Sequence, residues 1–372
     1  MSDAIKPIGM PKWGLAMTEG KVNAWLVPEG TEIAKGQEIL EIETSKITNV
    51  FESPLSGLLR RQVAQEGETL PVGALLGVVA DPGVADAEID AFVEQYRQHQ
   101  AELGTAAAAP EPSVVQAGDW SVRVLRMGPE VPHEAAPPLL LIHGFGGDLQ
   151  NWQFNQPDLA TDRAVYAIDL PGHGGSSKSV AAGGVPALAA AVREAMTALE
   201  IGRAHLVGHS LGGAIALQLA LDDPARVGSV TVISSAGLGP DINRDYIEGF
   251  IRADRRKEMK ATVETLFADP SLVSRDMVED LLKYKRLDGV LAALRAIADG
   301  AFAEGRQVTI LADRLAELAV PVQAIWGEAD RIIPATHAAA VTRHHVLPGA
   351  GHMAHIERPA DVNRLIAEFV SG

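Results

Sequence analysis

The hydrophobic rhythm of the chain changes twice. Across residues 1–80, apolar residues come in short runs, KVNAWLV, QEILEIET, NVFES, GLLRRQVA and LLGVVA, separated by glycine-bearing turns. Runs this short, with turn signals this frequent, predict the strands of a small all-β domain. A shift of 37 residues lays the first half of this segment on the second. Gly20 then falls on Gly57, Gly30 on Gly67 and Gly36 on Gly73, with Glu29 on Glu66, Ile33 on Leu70 and Ile39 on Leu76. Glycines recurring at three turns imply the same backbone geometry twice, because a left-handed turn position favours glycine. Two like halves about a pseudo-twofold axis predict a flattened sandwich. The tripeptide TSK, ending at Lys46, should be the hairpin tip between EILEIET and NVFES, and its counterpart in the second half is DPG at 81–83.

The pattern then turns helical. In DAEIDAFVEQYRQHQ the apolar residues Ile89, Phe92, Val93 and Tyr96 are spaced i, i+3, i+4, i+7, which predicts a short amphipathic helix. GTAAAAPEP after it has the composition of a semi-stiff linker, and ten such residues span ~30 Å when extended. From residue 118 on, continuous apolar runs (LLLIHG, AVYAID, AHLVGHS, VTVISS, VQAIWG) alternate with helix-length segments. Such runs are what parallel strands buried on both faces require, and the alternation predicts a doubly wound, mostly parallel sheet. The expected organisation is a β domain over 1–80, a helix and linker over 81–117, and an α/β domain over 118–372. The long stretch from about 237 to 319, between VTVISS and VQAIWG, predicts an inserted helical cap. Its Phe250, Phe267 and Leu282 suit either a pocket lining or the cap's own core.

Composition narrows the function. An apolar content of 47% sustains real cores, and a net charge of −16 argues against nucleic acid or an anionic membrane as partner. The chain has no cysteine, which excludes disulfides, a cysteine nucleophile and thiolate metal sites. No metal is expected. MSDAIKPIGMPKWGLAM contains no uninterrupted apolar h-region, and no run reaches the ~20 apolar residues of a spanning helix, so a cytoplasmic location is expected.

One motif carries nucleophilic chemistry. Gly208-His209-Ser210-Leu211-Gly212 follows the strand AHLV and precedes the helical pattern AIALQLALDD, placing G-x-S-x-G on a strand-to-helix turn. Glycines at 208 and 212 relieve a turn too sharp for side chains, and Ser210 projects at a helix N-terminus. A serine needs a base oriented by an acid, in the chain order Ser, acid, His for this fold. Glu328 and Asp330 follow the strand VQAIWG, and His352 and His355 follow HHVLPGAG. The backbone N–H of Leu211, and one from the loop after LLLIHG, should form an oxyanion hole, with glycines at 144, 146 and 147 letting that loop approach. His143 and His209 flank these sites as braces, and Asp169 should cap its turn.

These residues carry two resemblances. MPKWGLAMTEGKV, EGTEIAKG, EIETSK, FESPLSG and EGETLPVG resemble the lipoyl domain of 2-oxo acid dehydrogenase-type complexes, whose E-T-[DS]-K tip lysine is lipoylated. The resemblance implies (R)-lipoate on Lys46. Biotin carriers, related in sequence, flank their lysine with methionines, where this chain has Ser45 and Ile47. IHGFGG, DLPGHGGS, VGHSLGG, IWGEADRIIP and GAGHMAHIERP are similar to α/β-hydrolases. Matched residue by residue, they imply Ser210 as nucleophile, Asp330 as acid, His352 as base and Phe145 with Leu211 as oxyanion hole, leaving Glu328 and His355 structural.

Together the two halves resemble the dihydrolipoamide acetyltransferase components of acetoin dehydrogenase complexes. That resemblance implies transfer of an acetyl group from the lipoyl arm to coenzyme A, in acetoin catabolism. It also implies a multienzyme complex with a thiamin-diphosphate-dependent first component (E1) and a dihydrolipoyl dehydrogenase (E3). The chain departs from most acyltransferases of such complexes in lacking a C-terminal H-x-x-x-D-G domain. Two other readings stay open: a lipoyl-tethered hydrolase acting on a thioester, ester or C–C bond, and a lipoyl carrier whose second domain does no chemistry.

Overall fold

The computed structural model describes residues 5–11, 19–44, 48–105, 110–131, 136–180 and 183–371. It divides into two compact units, Met1–Ala109 and Pro110–Gly372.

The first unit contains β1 (Ile5–Gly9), β2 (Glu19–Trp25), β3 (Glu32–Ile33), β4 (Glu38–Glu43), β5 (Thr48–Glu52), β6 (Gly57–Gln62), β7 (Thr69–Pro71) and β8 (Leu75–Ala80). They form two four-stranded antiparallel sheets, ordered β1-β8-β6-β3 and β5-β4-β2-β7. Exchanging β1 with β5, β2 with β6, β3 with β7 and β4 with β8 turns one order into the other, which is the pseudo-twofold implied by the repeat. The hydrogen bonds obey it too. Trp25 N–H donates to Glu66 while Gln62 N–H donates to Glu29. Gly30 N–H donates to Leu59 O at 2.7 Å and Gly67 N–H to Val22 O at 2.6 Å. The paired glycines share left-handed backbones, with φ 84° at Gly30 against 86° at Gly67, and 84° at both Gly36 and Gly73. Between the sheets Ile8, Val22, Ile39, Leu40, Leu59 and Leu76 are buried.

Two expectations for 81–117 need correction. The helix is not short: α1 (Asp86–Thr105) runs 20 residues and belongs to the first unit. Ile89, Phe92, Val93 and Tyr96 pack on Val63, Leu75 and Val78, and Tyr96 Oη donates to Gly73 O at 3.1 Å. Arg60 ties the turn before it, donating to the carbonyls of Asp81 and Val84 and to the carboxylate of Asp86. The end of the expected linker, Ser113–Ala117, is instead strand β9 of the second unit. Its β-branched Val114-Val115 turns back through Gly118, at φ 57°, to pair antiparallel with β10 (Trp120–Met127). As a sheet edge it leaves Val114 exposed, so it lacks the continuous apolar signature of its neighbours.

The remaining strands of that sheet are β11 (Leu139–Ile142), β12 (Val165–Ile168), β13 (Ala204–His209), β14 (Val227–Ile233), β15 (Val322–Gly327) and β16 (Arg343–Leu347). The order is β16-β15-β14-β13-β11-β12-β10-β9, parallel except where β10 meets β12 and β9. Every residue of β11 and β12 is buried, as strands covered on both faces demand. The helices are α2 (Gln156–Leu159), α3 (Val185–Ala198), α4 (Leu211–Asp222), α5 (Arg244–Arg252), α6 (Arg256–Glu264), α7 (Arg275–Lys285), α8 (Val290–Ala301), α9 (Ala354–Glu357) and α10 (Pro359–Ser371). Of these, α5 to α8 intervene between β14 and β15. Phe250, Phe267 and Leu282 are buried in the same cluster as the strand residues Leu206 and Val230. Among the described residues no helix is long and apolar enough to cross a membrane, and no group of acidic or histidine residues is arranged to hold a metal.

Candidate active site

The candidate site residues gather at the carboxyl ends of four parallel strands. β13 ends at His209, and the chain reverses at Ser210 into α4 with φ 53° and ψ −118°, a backbone state rare for a residue with a side chain. Three contacts hold that strained residue. Ser210 N–H donates to Ile233 O on β14, and the Ser210 carbonyl accepts from Gly213 and Ala236, all near 3.0 Å. The flanking glycines are required by backbone rather than by one another's side chains. A Cβ on Gly208 would overlap the carbonyl of Gly212, and one on Gly212 would overlap the carbonyl of Ile142 on β11. The elbow is thus clamped between its own helix and the adjacent strand.

Asp330 follows β15 and His352 follows β16. Asp330 Oδ1 accepts from the N–H groups of Ile332 at 2.8 Å and Ile333 at 3.0 Å, and Oδ2 meets His352 Nδ1 at 2.9 Å. Both side chains are out of solvent, at 0% and 2% exposure. With a carboxylate oxygen as acceptor, Nδ1 is the nitrogen of His352 that carries the proton, and Nε2 is left to accept one. The alternatives separate clearly. Glu328 is exposed, and His355 is buried without a hydrogen bond at either ring nitrogen.

The loop after β11 closes on Ser210. A Cβ on Gly144 would lie 2.9 Å from Ser210 Cβ, so only glycine allows that approach. Gly146, at φ 73°, leaves a notch for the Phe250 ring, where an added Cβ would come within 2.6 Å. Phe145 packs edge-on to Phe250, Phe302 and His173, with centroids 5.8, 6.1 and 6.3 Å away. Among the described residues the backbone N–H groups of Phe145 and Leu211 have no protein acceptor.

Neutral histidines brace this loop. His143 accepts from Leu170 N–H through Nε2 at 3.0 Å, and its Nδ1 lies 2.7 Å from Gly144 O. His173 Nε2 accepts from Gly146 N–H at 3.1 Å. Burial holds both imidazoles below their ordinary pKa, so they act as fixed neutral partners. Asp169 caps its turn as expected, accepting from Leu149 and Gly175 N–H. Two supports were not singled out in the sequence. One is His173, in the DLPGHGG run. The other is Glu357, which accepts from Ala268, Asp269 and Gly351 N–H and so ties the His352 loop to the cap. The signal for both lay in the quoted motifs, in polar residues whose partners are distant backbone groups.

Lys46 lies outside the described residues. The strands flanking it pair antiparallel, with Glu43 opposite Thr48, so residues 44–47 connect β4 to β5.

Comparison with known proteins bears on the whole chain. The family described as "alpha/beta hydrolase fold" matches residues 137–359, and the one described as "Biotin-requiring enzyme", a biotin/lipoyl domain, matches 6–79. A protein of Cupriavidus necator is 48% identical over 375 residues, covering 100% of this chain and 99% of its own. It is named the dihydrolipoyllysine-residue acetyltransferase component of an acetoin cleaving system. This chain belongs to that family. A Pseudomonas putida component of the same name is 47% identical, with 98% of each chain covered. Family members are parts of a multienzyme system. The fold is also that of a meta-cleavage product hydrolase from Pseudomonas fluorescens, with TM-score 0.62 and 23% identity over 70% of this chain and 97% of the other.

Proposed function

We propose that this chain moves an acetyl group from S-acetyl-dihydrolipoyl-Lys46 to coenzyme A during acetoin breakdown in the cytoplasm, using Ser210, His352 and Asp330. A thiamin-diphosphate-dependent E1 and a dihydrolipoyl dehydrogenase E3 are its partners in this reading. The observation that carries it is the buried Asp330–His352 hydrogen bond beside the Ser210 elbow, on a chain matched end to end by acetyltransferase components. Lys46, between β4 and β5 in the chain, would carry the lipoyl group, which when bound would supply an acyl thioester.

The protein groups act as follows. His352 Nε2 takes the Ser210 Oγ proton as Oγ attacks the thioester carbonyl carbon. The negative charge that then develops on the thioester carbonyl oxygen is met by the N–H groups of Phe145 and Leu211. Collapse breaks the C–S bond, His352 returns the proton to the leaving thiol, and the acetyl group rests on Ser210. The thiol of coenzyme A then gives its proton to His352 and attacks the acetyl-serine carbonyl; the C–Oγ bond breaks, His352 returns the proton to Oγ, and acetyl-coenzyme A leaves with Ser210 restored. Asp330 stays ionised throughout and stabilises the imidazolium.

The deciding experiment incubates protein reductively acetylated on Lys46 with and without coenzyme A, and measures acetyl-coenzyme A against free acetate. Acetyl-coenzyme A as the main product supports the transferase. Acetate alone, at a rate indifferent to coenzyme A, makes the second unit a hydrolase. No turnover of either kind makes the chain a carrier. Ser210→Ala abolishes the first two outcomes if the serine is the nucleophile.

A further inference from the structure

His209 does more than fill the second position of the elbow motif. It is the last residue of β13, adjoins the nucleophile and is 4% exposed. Its Nε2 lies 3.0 Å from the main-chain oxygen of His352, 143 residues away. A carbonyl only accepts, so Nε2 must carry the proton. On its other side Nδ1 faces the oxyanion loop, 3.0 Å from where a Cβ on Gly144 would stand. One imidazole therefore touches all three parts of the site.

A column of rings holds it there. His209 lies 4.8 Å from the His352 ring and 4.5 Å from the His355 ring, and His355 in turn lies 4.7 Å from Trp152. His355 is anchored by Asn155, whose Nδ2 donates to its carbonyl at 3.0 Å. Burial, and then the neighbouring histidines, hold His209 well below its ordinary pKa, while burial takes His355 down to about 3. His209 and His355 are thus uncharged near neutral pH, and His209 keeps a single proton to donate.

We propose that His209 is a positioning residue: its Nε2–H fixes the main chain of His352 relative to Ser210 and the Gly144 loop, and so sets the geometry of proton transfer. The base is held from two sides, by Asp330 at its ring and by His209 at its backbone. This rests on Ser210 and His352 acting as nucleophile and base, and holds for either acyl acceptor. A displacement of ~1 Å in a reacting group costs on the order of 100-fold in rate, so loss of the Nε2–H should slow activation of Ser210 to that degree.

Two substitutions separate donation from packing. His209→Gln places an amide N–H near the Nε2 position and gives up the ring, whereas His209→Phe keeps a ring in the column and gives up the donor. The readout is the rate at which a fluorophosphonate labels Ser210, followed by intact mass, alongside kcat and KM for an acetyl thioester. The expected result is His209→Phe slowed ~100-fold in labelling and kcat with KM little changed, and His209→Gln at least tenfold faster than His209→Phe. His209→Phe equal to or faster than His209→Gln overturns the proposal and leaves His209 a packing residue. Nitrogen-15 NMR of histidine-labelled wild-type protein gives a reading that no variant's folding can spoil. A protonated Nε2 on His209 is expected, and a proton on Nδ1 instead overturns the proposal. Absence of labelling in the wild type itself would strike at the role of Ser210.

Discussion

Replacing Asp330 by asparagine tests the site at a buried polar contact. The carboxylate makes three hydrogen bonds, two from the N–H groups of Ile332 and Ile333 to Oδ1 and one from His352 to Oδ2. Asparagine can keep its oxygen on the two amides. Its NH2 then faces His352 Nδ1, and two donors cannot share one bond. His352 must adopt the other tautomer, with its proton on Nε2 where the serine proton should go. A wrongly set tautomer costs ~10⁴-fold in kcat in a serine-histidine-aspartate site, or ~5 kcal/mol of transition-state stabilisation. Because the substitution is isosteric and keeps the amide contacts, the midpoint of thermal unfolding should move little. The assay is steady-state formation of acetyl-coenzyme A from acetyl-dihydrolipoamide, with Glu328→Gln as the exposed control, expected within twofold of wild type. An Asp330→Asn enzyme within tenfold of wild type, or an equal loss in Glu328→Gln, would refute the assignment of the acid.

Other outcomes follow from contacts away from the base. Burial, and then Asp169, push the Asp148 carboxyl from 3.8 up to about 6. The folded chain therefore binds that proton more tightly than the unfolded chain, and stability falls as pH rises between those two values. Asp148→Asn keeps the acceptor for Gln150 N–H and should raise stability at about pH 7.5 by up to ~3 kcal/mol, with no gain at about pH 3, as denaturant titrations at the two pH values would report. Gly212→Ala would press a methyl group into the carbonyls of Ile142 and His143 and cost ~3 kcal/mol, seen as a lowered unfolding midpoint; an unchanged midpoint would contradict the clamped elbow. Lys46→Arg should remove lipoylation, measured by intact mass, while leaving turnover of free acetyl-dihydrolipoamide within twofold.

What the sequence disclosed depended on how local its cause was. The 37-residue repeat was readable because glycine at Gly30, Gly36, Gly67 and Gly73 answers a backbone demand within its own turn. The strand runs of the α/β unit were readable because burial on both faces leaves almost no polar residue in β11 or β12. Strand β9 was not: an edge strand with one partner and an exposed Val114 looks like the tail of a linker. The far end of α1 escaped for a related reason, since QHQAELGT has no apolar stripe and continues a helix whose packed face lies earlier. At the site, Ser210, Asp330 and His352 sit in local motifs at strand ends. The bond from His209 to His352, and those from Glu357 to the cap, join residues that only the fold brings together.

The twofold relation within the first unit has a consequence for its maturation. An enzyme that attached a prosthetic group there would meet two strands related by the pseudo-twofold, β4 and β8, each with a following segment. Symmetry alone would make them rivals. The second is occupied: Arg60 grips its carbonyls, and the chain runs on into α1. Asn23 stands where the repeat would place a matching arginine. One of two related strand ends has become a mooring, which under the proposed function leaves the other as the address for a modifying enzyme.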